Sequence, residues 1–150
     1  MYNKLLPQVI LFSSITMAEV LYVPAEFLTI QDAIEASESG DSVLVSPGLY
    51  QENINFEGKP ITVSSLYLIG GDSLLIGTTI IDGQQNGSVV TFASGEDSGS
   101  ILQGFTLQNG SGNDEDPDDN GSYYTYGGGI YCENSDPTIR DLSLIHISEP

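Results

Sequence analysis

Basic residues are scarce in this 150-residue chain: three Lys and Arg stand against 21 Asp and Glu, for a formal net charge of -18. A surface of that sign repels phosphate backbones and anionic headgroups, so it excludes nucleic acid as a partner and favours cations or neutral polymers. Cysteine occurs once, as Cys132, which rules out an internal disulfide and leaves the redox compartment unmarked. Histidine also occurs once, as His146, so residues 19–141 hold no imidazole for general-base work. Long apolar runs are missing as well. The stretch Leu5–Ile15 is interrupted by Pro7, Gln8 and the Ser13-Ser14 pair. It falls short of the roughly 20 apolar residues of a membrane-spanning helix, so no span is expected in the mature chain.

What is present fits one ordinary domain. Hydrophobic residues make up 39% of the chain and can supply a core, and 17 glycines imply many turns. At the start, Lys4 precedes the apolar stretch, and the small residues Thr16 and Ala18 stand three and one before a cleavage point. Residues 1–18 therefore read as a secretory signal peptide, which predicts a secreted or cell-surface protein.

In Leu-Thr-Ile-Gln-Asp-Ala-Ile, Ile30, Ala33 and Ile34 fall at i, i+3 and i+4. Thr29 is the expected N-cap, Asp32 follows three residues on, and Gly40 is the expected stop. No other segment shows a helical period. Short β-rich runs follow at 42–46, 53–56, 61–65, 78–82, 88–92, 101–109, 128–132 and 137–141, separated by Gly, Asn, Asp, Ser and Pro. A sandwich would join such runs by tight hairpins, whereas a solenoid stacks equivalent strands in register. Val63, Ile81 and Phe105 recur at about one coil length and favour the solenoid. The amphipathic helix is then expected to cap its open end.

Residues 27–65 carry Thr-Ile-Gln-x-Ala-Ile at 29–34, an apolar triplet at 43–45, Gly-x-Tyr-x-Glu-x-Ile from Gly48 to Ile54, and a strand at 61–63. This stretch resembles the N-terminal cap and first coils of right-handed parallel β-helix proteins of the pectin-lyase-like superfamily. The segments at 79–83 and 127–141 look like the serial repeats of such proteins. The resemblance implies an all-β, right-handed parallel β-helix over residues 19–141, with an N-terminal amphipathic capping helix. It implies no single activity, because the fold hosts lyases, hydrolases, esterases and proteins without known chemistry.

The similarity to pectin methylesterases implies two aspartates and an arginine on middle coils. Arg140 lies at the far end of the recognisable sequence, and Asp82, before Gly83, is explained as a turn residue. Hydrolysis by paired carboxylates needs a cluster, and Asp72, Asp82 and Asp141 are scattered in sequence. Cys132 is read as a small inward-facing core residue. No catalytic residue is assigned.

The most polar stretch, 109–129, interrupts the repeat and is expected to project as a long loop. Asp116, Asp118, Asn120 and Gly121 reproduce the first half of a calcium loop, with oxygen ligands at alternate positions and a glycine at the bend. The bidentate glutamate of the second half is replaced by Gly127, so Asp114 and Asp119 are the remaining ligand candidates. A solvated acidic loop is the alternative. Tyr123, Tyr124 and Tyr126 either pin the loop to the coil or stack on sugar rings.

Residues 142–150, Leu-Ser-Leu-Ile-His-Ile-Ser-Glu-Pro, break the turn-rich grammar. They match the translation of CTG TCT CTT ATA CAC ATC TCC GAG CCC, which resembles a transposase adapter of DNA library preparation. They are read as an appended segment, with the natural chain expected to continue past Asp141. Their alternation also permits a strand.

The function expected is adhesion or carbohydrate binding by a secreted or surface β-helix, with an extracellular polysaccharide or glycan as partner. The alternatives are the N-terminal part of a polysaccharide-active enzyme whose site lies downstream, and a structural spacer in a large surface protein. Calcium in the acidic loop predicts a heat of binding on calorimetric titration that the Asp116→Ala variant loses. Equal heats from both proteins would remove the ion from the loop.

Overall fold

The computed structural model describes residues 17–115 and 124–145. The first circuit of the chain runs β1 (Val20–Val23), α1 (Ile30–Ala36), β2 (Ser42–Val45), β3 (Gly48–Tyr50) and β4 (Ile54–Asn55). Next come β5 (Thr62–Ser65), α2 (Tyr67–Gly70), α3 (Leu74–Thr78), β6 (Thr79–Asp82) and β7 (Val90–Phe92). Then follow β8 (Ile101–Gln103), β9 (Thr106–Gln108), β10 (Asn113–Glu115), β11 (Tyr124–Tyr126), β12 (Ile130–Cys132), β13 (Thr138–Arg140) and β14 (Ser143–Ile145).

Three parallel sheets collect these strands. The first has the order β1-β2-β5-β8-β13, the second β14-β9-β6-β3 and the third β12-β7-β4. From β2 onward the chain visits first, second and third sheet in turn, a path compatible with a β-helix-like solenoid. Among the described residues the departure from this path is an antiparallel pair, β10 with β11, inserted between β9 and β12.

Register explains the core. Val43 pairs with Val63 and Val63 with Leu102 in the first sheet, and Tyr50 with Ile81 and Ile81 with Leu107 in the second. In the third, Ile54 pairs with Val90 and Val90 with Ile130. Because side chains alternate faces along a strand, each row points to one side throughout, and these rows fill the interior. Phe56 and Phe92 add a tilted aromatic pair with centroids 4.4 Å apart.

The pairing revises the repeat expected from sequence. Val63, Ile81 and Phe105 are not equivalent positions: Val63 belongs to the first sheet, Ile81 to the second, and Phe105 to the bend between β8 and β9. The run 101–109 is thus two strands of different sheets. Gly104 turns the chain between them at φ +80, and a Cβ there would lie 2.5 Å from Ser65 Oγ. Two short helices, α2 and α3, also stand where no helical period was visible. Each is too short to show one.

Cys132 is corrected in part. It pairs with the fully buried Phe92, yet it is exposed, because β12 is the terminal strand of its sheet. Residues 143–145 pair with β9 as their alternation permits, and His146 lies outside the described residues.

The helix α1 is held at both ends by side chains from later in the chain, Glu52 before β4 and Lys59 after it. Thr29 caps as expected, its Oγ1 accepting from Asp32 N at 3.0 Å. Glu52 accepts from Ile30 N and Gln31 N at 3.0 and 2.9 Å, which satisfies two more orphan donors. At the other end Lys59 Nζ donates to the carbonyls of Ile34 and Glu35 at 2.7 and 2.8 Å, a cation set against the negative end of the helix. The helix stops at Ser37 and not at Gly40, since Ser37 N returns to Ala33 O and Ile34 O. Ile30, Ala33 and Ile34 are fully buried, as their spacing predicts.

Replacing Glu52 by Ala leaves the Ile30 and Gln31 amides without their carboxylate. A loss of about 1–2 kcal/mol in urea unfolding is expected, with Glu52→Gln in between. Unchanged stability would show that water replaces the cap at no cost.

Candidate functional site

The carboxylates closest to a catalytic role are committed to the fold. Asp82 ends β6 and is buried. Its Oδ1 accepts from Gln84 N at 2.9 Å, closing the turn expected of Asp-Gly, and its Oδ2 accepts from Gln108 Nε2 at 2.8 Å and Asn109 Nδ2 at 3.0 Å. Gln108 lies opposite Asp82 in β9, so one carboxylate joins two circuits. Burial works to raise its pKa, but the bonds from Gln108, Gln84 and Asn109 outweigh it and hold the group below the ordinary value.

Glu96 gives no signal of its role in the sequence, where it stands among Gly, Ser and Asp and reads as loop. It is buried. It accepts from Gly58 N at 2.8 Å, Ser94 N at 2.9 Å and Ser135 Oγ at 2.8 Å, residues of three successive circuits. Burial again pushes its pKa up, and the amides of Ser94 and Gly58 with the Ser135 hydroxyl bring it below the ordinary 4.5. A buried anion of this kind is stable only because donors converge on it. No local pattern could have revealed it, since its partners are far apart in sequence.

Asp72 sits between α2 and α3 and accepts from Leu74 N at 3.0 Å. Asp141 follows β13 at φ 54. Neither joins Asp82. Arg140 donates through Nε to Gln103 Oε1, and Gln103 donates to Ser64 Oγ at 3.3 Å. This polar ladder of the first sheet follows its register, Ser64 to Gln103 to Arg140. Cys132 has its thiol pKa raised by desolvation and by the Glu96 carboxylate, which disfavours the nucleophilic thiolate.

The acidic insertion begins as the hairpin β10–β11. Its base docks on the turn after Asp82: Gly87 N donates to Ser111 Oγ at 2.9 Å and Ser111 N to Gly87 O at 3.0 Å. Asn113 Oδ1 accepts from Ser88 N at 3.2 Å. A Cβ on Gly110 would fall 1.7 Å from Gly128 O, so the two ends of the insertion approach more closely than any side chain allows. Asp114 is exposed and accepts from Thr125 Oγ1 at 2.6 Å across the hairpin. The other proposed calcium ligands, Asp116, Asp118, Asp119 and Asn120, lie outside the described residues, as does Tyr123. Tyr126 is exposed. Among the described residues no three His, Cys, Asp or Glu side chains converge as a metal cluster.

A recess of about 340 Å³ lies beside β1 and the end of α1, lined by Met17, Glu19, Leu21, Ala36, Glu38 and Asp41. Its buried carboxylate is occupied by the chain: Asp41 accepts from Glu19 N at 2.8 Å and Glu38 N at 2.7 Å.

The outer face of the third sheet is different. Between the buried Val90 and Phe92, Thr91 points outward, and its register partners Asn55 and Tyr131 share that face. All three are half-buried. Tyr131 Oη donates to Glu133 Oε2 at 3.2 Å. No helix among the described residues is long and apolar enough to cross a membrane. Comparison with protein-family models, curated proteins and solved structures finds no match to this chain.

The lowered pKa of Glu96 has a signed consequence. A carboxyl whose folded pKa is depressed contributes stability that is complete above its ordinary value and is lost as pH falls through the folded value. Glu96→Gln is therefore expected to be less stable than the parent at neutral pH, with the gap narrowing as pH drops below 4.5. Urea midpoints across that range measure it, and a gap independent of pH would contradict the assignment.

Proposed function

We propose that this chain is a right-handed parallel β-helix of the pectin-lyase-like kind, secreted or displayed at the cell surface, that binds an extracellular polysaccharide or glycan without acting on it. The observation that carries the reading is the commitment of the buried carboxylates. Asp82 and Glu96 each accept three hydrogen bonds, two of them from distant parts of the chain, so both work as coil clamps. The alternating visits to three parallel sheets support the β-helix, and the general preference of parallel crossovers for the right hand supports that sense of winding. The helix α1, pinned by Glu52 and Lys59, supports the role of an N-terminal cap.

Secretion rests on the Lys4-led apolar leader and the small residues Thr16 and Ala18. The net charge of -18 supports a neutral partner over an anionic one. Calcium in the insertion, on Asp114, Asp116, Asp118, Asp119 and Asn120, belongs to the same proposal as a stiffener of the projecting loop.

A glycan-array screen of the purified chain tests the reading. Binding to one or more neutral glycans is expected, with no release of reducing ends on prolonged incubation. An array without a bound glycan would favour the spacer, and bond cleavage would favour the enzyme.

A further inference from the structure

We propose that removal of residues 1–18 frees an α-ammonium on Glu19 that pairs with the Asp41 carboxylate and locks the start of the first circuit in place. The inference rests on the secretory-leader reading above and assigns what the cut does to the mature chain.

The fold already fixes where the new terminus stands. Glu19 directly precedes β1, and its carbonyl accepts from Ser42 N at 2.9 Å, which continues the ladder in which Val20 pairs with Ser42. On the other side Glu19 N donates to Asp41 Oδ1 at 2.8 Å. Asp41 is itself held from both neighbours. Its Oδ2 accepts from Glu38 N at 2.7 Å, its N donates to Glu38 O at 3.1 Å, and its carbonyl accepts from Thr62 N at 3.0 Å. Asp41 is buried, whereas Ala18 and Glu19 are exposed, so the bond to be cut stands in solvent and the acceptor does not.

A leader peptidase hydrolyses the Ala18–Glu19 peptide bond with one water. The hydroxide goes to the Ala18 carbonyl carbon, and the Glu19 nitrogen leaves as an amine that takes a proton from solvent. An amide-to-carboxylate bond becomes a charge-assisted one between groups already in place. No side chain of the mature chain can supply this cation. Lys4 departs with the leader, Lys59 Nζ is committed to the carbonyls of Ile34 and Glu35, and Arg140 donates to Gln103.

The charged groups that face the nitrogen are Asp41 and Glu38, from the segment between α1 and β2, and the carboxylate of Glu19 itself. Met17, Leu21 and Ala36 complete the lining of this recess and do not titrate. All three carboxylates favour the charged amine and hold it above the ordinary α-amino value. An amine raised in this way contributes stability that is complete below its ordinary value and is lost as pH rises through the folded one. The leader-bearing chain has a neutral amide at Glu19 and lacks this contribution, so processing itself tightens the fold.

Two measurements test the lock. Expression with the leader in a secreting host, followed by N-terminal sequencing of the exported chain, is expected to give Glu19 as the first residue. Another first residue would overturn the lock and leave secretion intact, while retention in the cell with the leader attached would overturn the secretory reading as well. Urea unfolding then compares the chain that begins at Glu19 with one that begins at Ala18, which has the same net charge and an ordinary amide at Glu19. The Glu19 chain is expected to have a midpoint higher by about 0.5 M near neutral pH. That gap should close between roughly pH 8 and 10. Asp41→Asn should abolish the difference between the two starts, with circular dichroism to check folding, and the comparison of the two parent chains stands without it. Equal midpoints, or a gap that does not change with pH, would overturn the ion pair.

Discussion

Every circuit of this chain must set its inward residues on those of the circuit before it, and the rest of the structure follows from that stacking. Val43 under Val63 under Leu102, and Ile54 under Val90, are rows in which an apolar side chain meets only apolar neighbours along the sheet. Parallel sheets built this way bury one face completely, so the polar groups of each circuit are forced outward or into the bends.

The bends then become the places where chemistry concentrates, and most of that chemistry is structural. Glu96 gathers donors from three circuits, Asp82 from two, and Asp41 ties β2 to the segment before β1. A carboxylate is the economical acceptor at such a site, because it can take several N–H donors that a bend leaves unpaired. The 21 acidic residues are therefore more than a solubilising coat. Some of them close the gaps that stacking cannot.

The outward row of the third sheet, Asn55, Thr91 and Tyr131, is half-buried, while the first sheet bonds its outward polar row and Thr106 of the second donates to α3. The β10–β11 hairpin is inserted between β9 and β12, and its base bonds to Gly87 and Ser88 just before β7.

Much of this was legible in the sequence alone. The spacing of Ile30, Ala33 and Ile34 with Thr29 before them determined α1 and its buried face, because helix period and capping are local properties. Most strand positions, and Asp82 as a turn residue, were readable for the same reason. The register was not: a period of two tells which face a residue takes but not which strand lies beside it, so Val63, Ile81 and Phe105 looked equivalent when they belong to different sides. Glu52, Lys59 and Glu96 likewise showed no local sign of their roles, because each acts on backbone groups more than twenty residues away. Cys132 was assigned the right direction and the wrong exposure, since burial depends on whether another strand follows. Composition and short-range pattern determined the charge, the cap and the strands. Only the tertiary structure decided the partners, because they are set by the closing of each circuit over the last.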